Sequence, residues 1–84
     1  SKFFNDIAIN FAERVRKDAG DDRKQQVARA VSLAFNRPAT NEEISNGVQL
    51  IKQLAKLNKQ GKGSKPLERF CLMTLNLNEF VFVD

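Results

Sequence analysis

Few side chains in this 84-residue chain have the types and spacing to do chemistry. Lys52, Lys56 and Lys59 recur four and three residues apart and so share one face of a helix, and Lys62, Lys65 and Arg69 carry the positive charge onward. A row of this kind neutralises phosphates, so Lys52, Lys56, Lys59, Lys62 and Lys65 form a candidate anion-binding face for nucleic acid or an acidic polysaccharide. No aromatic residues alternate with the lysines to stack bases. A solvated helix face with cations near its C-terminus is the plainer account. Gly61-Lys62-Gly63-Ser64-Lys65 resembles a phosphate loop only superficially, because a P-loop needs Gly, an intervening stretch of four residues, then Gly-Lys-Ser/Thr, all following a strand. Here the spacing is wrong and a helical pattern precedes it, so it reads as a connector.

The acidic pairs Asp21-Asp22 and Glu42-Glu43 fall where helices begin, and capping explains them without acid–base catalysis. The chain has one Cys and no His. That excludes a Cys/His zinc site, haem attachment, an iron–sulfur site, an internal disulfide and any His-dependent nucleophile within these residues. Cys71 lies on an apolar helix face and reads as a small buried hydrophobe. Arg37 and Glu79 each stand in a loop beside apolar residues. A pair between them, or bonds from either to exposed helix ends, would staple the C-terminal tail to the central turn, since charges near a core need partners.

The elements that must position these groups are helical. Phe4, Ile7, Ala8, Phe11 and Val15 form one apolar stripe over residues 3–19, and Gly20 suits a left-handed exit. Asp21 or Asp22 caps a second helix to residue 35, with Val27, Ala30, Val31, Ala34 and Phe35 inward and Asn36 able to take a positive φ at its close. Thr40 and Glu43 make a capping box for a third helix over 41–59, whose face is Ile44, Val48, Ile51, Leu54, Ala55 and Asn58. Gly47 inside that helix implies close approach of another helix, since a central Gly otherwise costs up to about 1 kcal/mol against Ala. Pro66 opens a fourth helix over 66–76, carrying Leu67, Phe70, Cys71, Thr74 and Leu75. Leu72 and Met73 make it apolar nearly all round, as expected of a helix covered on more than one side. Residues 77–84 break the pattern: Asn78-Glu79 is turn-like, and Phe80-Val81-Phe82-Val83 is extended by propensity.

With 42% hydrophobic and 29% charged residues and a net charge of +4, the composition is that of a folded domain. No apolar run approaches the roughly 20 residues that span a bilayer. The expected fold is all-α: a small four-helix bundle-like domain with an extended C-terminal tail packed on it. Beginning at Ser1, with Met73 its only methionine, the chain reads as a fragment of a larger protein.

Two stretches carry a family likeness: Val27-Ala28-Arg29-Ala30 with Leu33 through Glu43, and Phe70 through Asp84. Together they resemble the C-terminal part of the domain of unknown function found in planctomycete cytochrome-c-associated proteins, which are exported and multidomain. The family pattern is roughly Leu-Gly-Arg-x-Pro-Thr-x-x-Glu, then a helix, then Leu-x-Asn-x-Asn-Glu-Phe-x-Tyr-Val-Asp. This chain departs from it at Asn36 for Gly, at Phe82 for Tyr, and in the shifted Pro38. The resemblance implies an exported or cell-envelope setting and upstream domains as partners. It also implies haem elsewhere in the parent protein, with no cofactor in this chain, and it supplies no catalytic residue. The expected role is a non-enzymatic structural or protein-interaction module, with no membrane span and no specific nucleic acid partner; binding an anionic partner through the lysine face is the alternative.

Overall fold

Each helix starts and stops where the local chemistry allows. In a computed structural model describing residues 2–57 and 65–81, with side chains through Leu77, α1 spans Lys2–Ala19, α2 Arg23–Phe35, α3 Asn41–Leu57 and α4 Pro66–Val81. Gly20 leaves α1 at φ +70, and its N–H reaches Arg16 O at 2.8 Å. The Asp22 side chain accepts from Gln25 N at 3.2 Å and caps α2. Asn36 closes α2 in the left-handed region at φ 54, its N–H donating to Ser32 O at 2.9 Å. Asn tolerates this conformation better than any β-branched residue. Among the described residues there is no strand, and the fold is an all-α, four-helix bundle-like domain.

α2 and α4 form the middle of the bundle. α4 touches all three other helices, and α1 and α3 flank the pair from opposite sides without meeting. The nearly uniform apolarity of α4 is thereby used. Leu67, Phe70, Cys71 and Thr74 are buried on it, and the Thr74 hydroxyl satisfies itself on Cys71 O at 2.8 Å. α1 runs antiparallel to α4: Ile7 and Phe11 lie beside Leu75, whereas Arg16 lies beside Pro66 and Leu67. Ala8, Ala12 and Val15 are the buried residues of α1, so the inward stripe is built of small side chains, and Ile7 and Phe11 sit half-buried at its edge.

α3 packs on α2 and on α4. Pro38 and Ala39 of the connector share a surface hollow with Ala28 and Arg29, and Ile44 and Val48 share another with Gln25 and Ala28. The helices cross at Gly47, where a built Cβ would overlap Val27 Cγ1 and stand 3.2 Å from Phe70 Cζ. Three helices therefore converge on one missing side chain.

Two expectations change. The tail does not turn extended at Leu77: α4 continues through Asn78-Glu79 to Val81, and residues 82–84 lie outside the described residues. Adding residues to a formed helix gains a hydrogen bond each without a new nucleus, which outweighs the context-dependent strand preference of Phe and Val. Ala55, expected inward, is exposed, and Asn58 lies outside the described residues.

Gly47→Ala separates packing from propensity. Propensity alone would stabilise α3 by up to about 1 kcal/mol. The overlap with Val27 should instead cost about 1–3 kcal/mol, lowering Tm by several degrees in thermal denaturation. Val27→Ala should cost less in the Gly47→Ala background than in the natural chain. A raised Tm would contradict the crossing described.

Candidate functional site

The most densely bonded group of charged residues lies on the α2–α3 connector. The Arg37 guanidinium forks onto Glu43, with Nη1 donating to Oε1 at 2.9 Å and Nη2 to Oε2 at 2.7 Å, and Nη1 also reaches Pro38 O at 3.1 Å. Its Cζ stands 5.5 Å over the Phe35 ring centroid. Glu43 is held by the capping box as well: Thr40 N–H donates to Oε1 at 2.9 Å, and Glu43 N–H donates to Thr40 Oγ1 at 3.1 Å. The Arg37 fork, then the Thr40 N–H, hold the Glu43 carboxyl down at about 2, and the same fork raises Arg37 further. Arg37, expected to staple the tail through Glu79, is engaged by Glu43 instead; the Glu79 side chain lies outside the described residues. Three Arg37 N–H bonds and both Glu43 oxygens are engaged within the connector, so the group acts as a structural clasp.

A second clasp joins α1 to α2. One oxygen of Asp18 accepts from Arg14 Nε at 2.9 Å and Arg29 Nε at 2.8 Å, and the Arg29 bond, then the Arg14 bond, lower its pKa. Gln26, buried and not foreseen from the sequence, donates through Nε2 to Gly20 O at 2.6 Å and accepts from Arg23 Nη1 at 2.8 Å. The signal for it was a lone polar residue beside Val27 on the inward face, followed by Ala30.

Of the candidate anion-binding lysines, Lys52 and Lys56 share the exposed face of α3, and Lys65 is exposed just before α4; Lys59 and Lys62 lie outside the described residues. Cys71 is fully buried, and burial pushes its thiol up to about 12 despite the Arg16 charge nearby. Among the described residues no group of Cys, Asp and Glu could hold a metal ion, and no helix is long and apolar enough to cross a membrane.

Of the surface hollows among the described residues, two have linings that suggest a ligand. A groove of about 450 Å³ between α1, α2 and α4 is walled by Ile7, Phe11, Leu33, Ala34 and Leu75, with Asn10 and Arg14 at its polar side. Phe3, one turn before Ile7, is 68% exposed, and on the outer side of α4 Met73 and Leu77 add apolar surface, Leu77 being 59% exposed. A second cavity of about 300 Å³ lies at the other end of α1 and is lined by Arg16, Arg23 and Lys65. Compared with known proteins, the chain matches no family model, no curated sequence and no solved structure.

Two outcomes test these assignments. Because the folded chain holds the Glu43 carboxyl near 2, below the ordinary 4.5, its stabilisation is complete above 4.5 and is lost as pH falls toward 2. Urea-melting midpoints should therefore fall less steeply through that window in Glu43→Gln than in the natural chain; equal slopes would remove the clasp. The Cys71 thiol should resist iodoacetamide at mildly alkaline pH until urea unfolds the chain. Rapid alkylation of the native protein would show a reactive thiol that the burial of Cys71 denies.

Proposed function

We propose that this domain is a non-enzymatic structural or protein-interaction module, and that its working surface is the apolar groove between α1, α2 and α4. The groove carries the reading. It sets the half-buried Ile7, Phe11, Leu33 and Leu75 around about 450 Å³, beside the exposed Phe3. Apolar side chains gathered around a concavity favour an apolar partner, since burial is worth roughly 25 cal/mol per Å². The occupant is an apolar polypeptide segment, supplied by upstream domains of a larger chain or by another protein. The likeness to the planctomycete cytochrome-c-associated family supports placement at the C-terminal end of an exported protein, where such segments would lie upstream.

The polar chemistry supports the same reading. The clasps at Asp18 and at Arg37–Glu43 spend their charges internally. The buried thiol of Cys71 is held protonated. These arrangements favour a rigid support over a catalyst.

Peptide display on the immobilised chain tests the groove. Selected peptides should carry Leu, Ile or Phe at helical spacing, and they should bind Ile7→Lys about tenfold more weakly, a difference of about 1.4 kcal/mol, while circular dichroism stays unchanged. Enrichment of apolar peptides no greater than that of polar controls, or binding indifferent to Ile7→Lys, would discard the groove as the working surface.

A further inference from the structure

Arg16 is a half-buried residue whose side chain has no hydrogen bond or ion pair to any described residue. The other buried or half-buried arginine, Arg29, is bonded to Asp18 at 2.8 Å. Even the exposed Arg14 and Arg37 have carboxylate partners. Removing a cation from water without a partner is costly, so the surroundings of Arg16 matter.

Arg16 opens onto the cavity of about 300 Å³ between the last turn of α1 and the starts of α2 and α4. Arg23 and Lys65 line the same cavity from two further segments of the chain. Arg23 is held in place: its Nη1 donates to Gln26 Oε1 at 2.8 Å, and Gln26, 4% exposed, is itself fixed by donating to Gly20 O at 2.6 Å. Lys65 has no side-chain partner among the described residues and precedes Pro66, where the positive end of the α4 dipole adds to the field. Asp21 is the one carboxylate on the described wall, and it too has no hydrogen bond among the described residues. Glu68, one turn into α4, accepts Lys65 N–H at 3.4 Å.

We infer that this cavity binds one tetrahedral oxyanion, a free or esterified phosphate group, with Arg16 as its principal ligand and Arg23 and Lys65 closing around it. A planar guanidinium offers parallel donors that match two oxygens of such a group. Arg16, Arg23 and Lys65, from three segments of the chain, line one concave space of about 300 Å³ with room for a hydrated phosphate, whereas Lys52 and Lys56 stand in a row on an open helix face and fit an extended polyanion. The inference does not rest on the apolar groove, which lies at the opposite end of α1.

Inorganic phosphate titrated at constant ionic strength, with side-chain Nε–H and backbone amide NMR signals as the readout, tests it. Saturable shifts should appear at Arg16, Arg23 and Lys65. Arg16→Gln should weaken binding about tenfold, as loss of a charge-assisted hydrogen bond does, and Lys65→Gln, on an exposed side chain that leaves the fold intact, by less. Asp21→Asn should tighten binding by removing a competing charge. Methyl phosphate binding as well as phosphate assigns an esterified group, and weaker binding assigns the free ion; both support the site. Shifts that never saturate, or that chloride reproduces, would overturn it. So would affinity indifferent to both Arg16→Gln and Lys65→Gln, or weakened by Asp21→Asn, since removing a negative charge from the wall of an anion site should not weaken it.

Discussion

The bundle depends on the absence of a side chain at residue 47. α3 reaches α2 only because nothing projects from Gly47 toward Val27, and Phe70 of α4 fills the space left beside the crossing. The contact is demanding because protein interiors are packed at crystal-like density, so one added carbon has no space to enter. It also sets the layer order. With α3 seated across α2 and against α4, the remaining side of the α2–α4 pair falls to α1, and α1 and α3 never meet. The buried set of Val27, Ile51, Leu67, Phe70 and Cys71 then becomes one continuous core with Ala12, Val15, Ala30 and Val31.

A crossing of that kind needs the chain delivered to it at the right angle, and the charged clasps do this. Phe35 ends α2 and gives Arg37 a ring to lie over; Arg37 reaches forward to Glu43; Glu43 folds back on Thr40. The connector is thereby fixed from both ends, with Glu43 in the first turn of α3 tied back to Arg37 and Thr40. Exposed ion pairs contribute little one at a time. Here the partners share atoms, one Glu43 oxygen serving both Arg37 and Thr40, so one side chain's ordering entropy supports several bonds. Asp18 repeats the economy between α1 and α2, where one oxygen serves two arginines.

What the sequence made legible was local. The left-handed closures at Gly20 and Asn36, the Thr40–Glu43 box, the Asp22 cap and the close approach at Gly47 each follow from one residue's own chemistry, and the structure contains all of them. Contacts set by the arrangement of helices were harder to see. Periodicity placed Phe11 and Ile7 inward, yet Ala12 is fully buried while they line a groove, because two helices close on α1 from different directions. The burial of Gln26 depends on the α1–α2 turn, which supplies Gly20 O as its acceptor. The Arg37–Glu43 pair was not legible, because it depends on how the connector folds. The strand-like composition just after Leu77 is overridden by the helix already running into it, which continues to Val81.

The two open features fall at opposite ends of one helix, and this bears on what the fold is for. Ile7 and Phe11 wall the groove, Arg16 faces the cationic cavity, and Ala8, Ala12 and Val15 pin the stretch between them into the core. At 1.5 Å per residue, Ile7 and Arg16 are separated by about 13 Å along the axis, too far to act on one small molecule. Small buried residues bring the backbone of α1 close to its neighbours and leave its larger side chains at the rims. A helix bound this way transmits little motion, since packed interfaces resist gradual deformation. Occupation of either end would therefore add stability to the bundle without reshaping it, through binding linkage. The ion pairs at Asp18 and Glu43 reinforce this stiffness, since each ties one segment of the chain to the next.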